Sequence, residues 1–272
     1  LHTIGFKMST NITPIITSNV LDESGRPAPY AQRDSLVADD ALIYSHRLGS
    51  WLTWAPLLEE DMALANISLD LIGQARAIYT YVGANDGTGR SEDDIAYWRD
   101  EREFRNVHLV EQPRGDFGQE MARMLWFSAY QRELYAGLAG SGDAQVRAIA
   151  AKAVKEVRYH LDHASQWVVR LGDGTPESRD RMVAAFTWVA PYIAELFQDD
   201  AASVAAAEAG VGVLPSSLRA AAEATVAAVL AEVLRALGHL HLPRVSTMNT
   251  TVAQLRRAGG AEDTESLMTR LM

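Results

Sequence analysis

The residues best suited to chemistry lie at positions 155–163, Lys-Glu-Val-Arg-Tyr-His-Leu-Asp-His. Glu156 and His160 are four apart, and His160 and His163 three apart, so on a helix all three project from one face. Carboxylate and imidazole together are donors that suit iron or manganese. A carboxylate-bridged di-iron bundle asks for more: a single Glu from each of two helices, and Glu-x-x-His from each of the other two. That spacing aims both side chains inward from one turn at the same ion. The positions three before the histidines are Ile43, Arg105, Val157, His160, Ala236 and Gly238, while His2 has none. No Asp or Glu stands three before any histidine, so the pattern fails at both required places.

Parts of the pattern survive. Asp70 is a carboxylate on an apolar helix, but three later stands Gly73, which cannot ligate, and then Gln74. Glu156 is followed at that spacing by Tyr159, with His160 one position late. Another helix offers Glu120. An unpaired charge in a low-dielectric core costs several kcal/mol, so such groups must find partners. The expectation is a degenerate site: Asp70, Gln74, Glu120, Glu156 and His160 form a metal-free structural polar network, with no catalytic or cofactor-binding residue. The alternative is a metal-binding helical-bundle enzyme with an irregular site of Asp70, Glu120, Glu156 and His160, to which His163 could add a further donor.

Other chemistry is thinner. The sequence has no His-Glu-x-x-His, no Gly-x-Ser-x-Gly and no Walker motif. Arg99, Arg102 and Arg105 share one helical face and could bind phosphate, but Asp100, Glu101 and Glu103 interleave with them, which reads as solvated ion pairing. With no cysteine, disulfides, thiolate zinc sites and cysteine nucleophiles are excluded. A net charge of −10 without a basic window speaks against nucleic-acid binding. No apolar run approaches the roughly 18 residues that span a bilayer, and no cleavable signal pattern opens the chain. The expected location is cytoplasmic.

The elements that must position these residues are helical, because strand and hairpin patterns are nearly absent. Residues 1–34 read as an irregular segment, with Met8 as the expected natural start and "DESGRPAP" as a linker. Over 35–240 the periodicity predicts helices at about 36–55, 59–82, 117–139 and 143–171, the natural core of a four-helix bundle. A short helix is expected in "EDDIAYWRDEREF", and another follows Thr175 and Pro176 as N-cap and first residue. That helix should bend or break near Pro191, and an Ala-rich helix covers about 217–237. The six tryptophans are expected as core packing. Residues 241–272 read as a divergent tail.

Three segments carry a resemblance. "SHRLGSWLTWAPLLEEDMALANISLDLIGQARAIYTY" (45–81), "RDEREFRNVHLVEQPRGDF" (99–117) and "AKAVKEVRYHLDHASQWVVRLGDGTPES" (151–178) closely resemble the C subunits of bacterial phenylacetyl-CoA 1,2-epoxidases, and the likeness covers about 36–235. The resemblance implies an all-α, ferritin-like bundle with additional helices. It further implies a structural, non-catalytic subunit without a cofactor of its own. Such a subunit pairs with and stabilises a homologous A subunit, which carries the di-iron centre of an oxygen- and NADPH-dependent monooxygenase complex. The small B subunit is a further expected partner, and a homodimer is the alternative assembly in isolation. Beyond the Ala-rich helix the likeness fades, and "MNTTVAQLRRAGG" reads like the beginning of another protein.

Overall fold

A computed structural model describes residues 29–100 and 103–239, with side chains from residue 37 to residue 236. The expected irregular segment before residue 29 and the tail at 241–272 lie outside the described residues. The described residues contain helices and turns and no strand. Helix α1 spans Pro29–Gly49 and α2 spans Leu58–Asn85. Two short helices follow, α3 at Glu92–Tyr97 and α4 at His108–Glu111. The long α5 covers Phe117–Leu138 and α6 covers Ala144–Asp173. The described residues end with α7 at Pro176–Ile193, α8 at Ala201–Glu208 and α9 at Pro215–His239. No helix among the described residues is long and apolar enough to cross a membrane.

Two hairpins, α1–α2 and α5–α6, pack through α2 against α6 and are joined by the crossover that holds α3 and α4. One long crossover between two helical hairpins is the ferritin-like arrangement. Helices α7 and α9 cover the far side of α5. Being enclosed on all sides, α5 is buried at every position from Glu120 to Gln131. By contrast α6 buries a single stripe, including Val146, Ala150, Ala153, Val157, Leu161, Ala164 and Val168, at steps of three and four residues. Aromatic edges fix the bundle's end: Phe117 meets Trp167 at 4.9 Å and Trp51 at 5.8 Å between ring centroids.

The boundaries depart from expectation in instructive places. Helix α1 begins at Pro29, seven residues before the expected start near 36, and ends at Gly49 rather than near 55. The early stop follows from the turn after it: Thr53 has φ of 70° and its N–H, with that of Ala55, donates to Asp61 in the first turn of α2. Thr175 caps α7 as expected, accepting from the Ser178 N–H at 3.1 Å. Pro191 does not end α7 at once; the helix runs to Ile193 and then tightens into a 3-10 turn at Ala194–Phe197. Helix α8, which the periodicity missed, is set by a capping box of Asp200 and Ser203. The tryptophans also divide: Trp51 and Trp126 are buried, but Trp54 and Trp98 are 66% and 82% exposed, so they are not core packing.

Candidate functional site

Glu120 stands at the start of the enclosed helix α5 and is fully buried. Burying a carboxylate there demands a complete set of donors. Tyr44 of α1 donates its hydroxyl at 2.8 Å, and the Trp51 indole N–H donates at 2.8 Å from the turn after α1. The third donor is Arg123, one turn on in α5, whose Nη2 bonds the same carboxylate. Arg123 is itself fully buried; its Nη1 donates to the Gln112 carbonyl at 2.7 Å, and its guanidinium carbon lies 5.6 Å from the Tyr44 ring centroid and 5.7 Å from that of Trp188. Burial works against the Arg123 cation, but Glu120 and Tyr44 more than offset it, and its pKa is raised. Burial, reinforced by Glu120, drives the Tyr44 pKa well up, so its proton stays on oxygen.

A second polar set lies where α2 crosses α6. His160 Nε2 is 3.0 Å from Asp70 Oδ2. One turn along both helices, Gln74 donates to Glu156 at 3.1 Å and accepts from the Tyr135 hydroxyl at 3.0 Å. Lys152 pairs with the other Glu156 oxygen at 3.0 Å. The i,i+4 spacings on both helices thus build two rungs. These rungs sit toward solvent, since the Asp70 side chain is 35% exposed and Lys152 reaches the surface. His163 belongs to neither rung. Its Nε2 lies 3.2 Å from Glu60 Oε2 without the alignment of a hydrogen bond, and burial followed by His160 lowers its pKa.

The five residues expected to form one network therefore separate. Asp70 with His160 and Gln74 with Glu156 are brought together between α2 and α6, while the donors to Glu120 come from Tyr44, Trp51 and Arg123. The expectation of a single network is corrected to these separate sets. The irregular metal site meets the same difficulty, and among the described residues no three of His, Asp and Glu are grouped to hold an ion. A di-iron pair does not fit these donors. Guanidinium and ammonium groups already stand against Glu120 and Glu156, where a metal would bring further positive charge.

A third set was not foreseen. Asp39 of α1 is fully buried and accepts from Tyr79 at 2.6 Å, from Arg99 at 2.6 and 3.1 Å, and from the Arg105 N–H at 2.9 Å. Its neighbour Asp40 accepts from the Val107 N–H at 2.8 Å. Together they pin the crossover to α1. Arg99 is thus no solvated helix-face cation: α3 ends at Tyr97, and Arg99 turns inward to stack 4.1 Å over Phe104. Arg102 lies outside the described residues. The usable clue was the pairing of charge with context: Asp39 and Asp40 in "VADDALIY", and Glu120 three before Arg123 in "QEMARMLWF", are charges in segments with no polar face.

Fold and site together describe an all-α, ferritin-like bundle whose interior carboxylates are closed off by cations and hydroxyls. The chain belongs to the phenylacetic acid catabolic protein family, whose model matches residues 24–254. Among curated relatives it is similar to the C subunit of the 1,2-phenylacetyl-CoA epoxidase of Escherichia coli (strain K12). The two are 43% identical over 224 residues, which is 82% of this chain and 85% of the relative.

Proposed function

We propose that this chain is a structural, non-catalytic C-type subunit of a multicomponent phenylacetyl-CoA 1,2-epoxidase, acting in the cytoplasm in aerobic phenylacetate degradation. In this reading it pairs with a homologous A subunit that holds the di-iron centre and the CoA ester, and it also meets the small B subunit. The whole assembly is the oxygen- and NADPH-dependent enzyme, and this chain binds no metal. The relative from Escherichia coli supports the place in the complex. The non-catalytic half is carried by one observation, the guanidinium of Arg123 set against buried Glu120. A fixed cation neutralises that carboxylate in every state of the protein, so the bundle's interior is balanced without iron. A subunit built this way keeps its shape whatever the metal loading of its partner, which is what a scaffold needs.

The test is co-expression with the A-type subunit, followed by native mass and iron analysis. The expected result is a stable complex whose iron scales with the A-type partner only, and an isolated chain with no stoichiometric iron and no oxygenase turnover. Iron-dependent turnover by this chain alone would overturn the reading. Loss of metal uptake in a natively folded Glu156→Ala variant would instead favour the irregular carboxylate and histidine site.

A further inference from the structure

We draw no further inference here: the strongest candidate, the outward apolar stripe of α2 made by Leu58, Met62, Leu69 and Ile72, is exposed, and nothing among the described residues shows what covers it.

Discussion

Arg123 and Glu120 form an ion pair across one turn of α5, with both side chains fully shielded from solvent. Tyr44 and Trp51 complete the carboxylate's partners, and the Gln112 carbonyl holds the other end of the guanidinium. The pair neutralises itself inside one end of the bundle, shielded from solvent, where an unpaired charge is poorly tolerated. It converts a position that could offer an anionic ligand into a rigid cross-link between α1, α5 and the segment before α5.

Removing one member should cost far more than removing both. Arg123→Met leaves Glu120 buried without its cation, and a loss of about 3–5 kcal/mol is expected. Glu120→Gln in the Arg123→Met background should regain a substantial part of it. Urea denaturation of the two singles and the double gives the coupling, and simple additivity would refute the pairing as a stabilising unit.

The clamp of Arg99 on Asp39 should resist a conservative change. Two guanidinium nitrogens bond the carboxylate while its plane lies on Phe104, and lysine can supply neither the fork nor the stacking. Arg99→Lys is expected to cost about 2–3 kcal/mol, since Tyr79 and the Arg105 N–H still serve Asp39. Chemical denaturation checks the loss. Fluorescence of the exposed neighbour Trp98 reports whether the crossover loosens.

Acid should weaken the α2–α6 contact through His163. Burial first, and His160 second, hold its folded pKa below the ordinary 6.5. The unfolded chain therefore takes up the proton at higher pH than the folded one. Its contribution to stability is complete above about pH 6.5 and is lost as the pH falls toward the folded pKa. Melting temperatures across this window should fall with acidification in the wild type and fall less in His163→Gln. Equal slopes would show that His163 is not the group responsible.

Much of the architecture was legible along the chain. The four long helices follow from apolar residues at three- and four-residue spacing, and Thr175 before Pro176 marks the start of α7 through local backbone chemistry. The early end of α1 was not legible, because it depends on Asp61 folding back onto Thr53 and Ala55. Helix α8 was hidden in an alanine-rich stretch without an apolar stripe. That Asp70 and Gln74 share one helix face, and Glu156 and His160 another, was legible because i,i+4 spacing is local. Their separation from Glu120 was not, because it depends on how α5 sits among its neighbours.

The amino-acid order alone determined the helical class, the order of the long helices and the absence of any carboxylate three residues before a histidine. These are properties of a few neighbouring residues, and helix geometry reads them directly. Only the tertiary structure decided that Glu120 is satisfied from Tyr44 and Trp51, and that Arg99 reaches Asp39, across separations of 76, 69 and 60 residues. It also decided that one apolar stripe of α2 is buried while its second stays exposed. Burial and charge pairing are relations between distant segments, and no local spacing specifies which segments will meet.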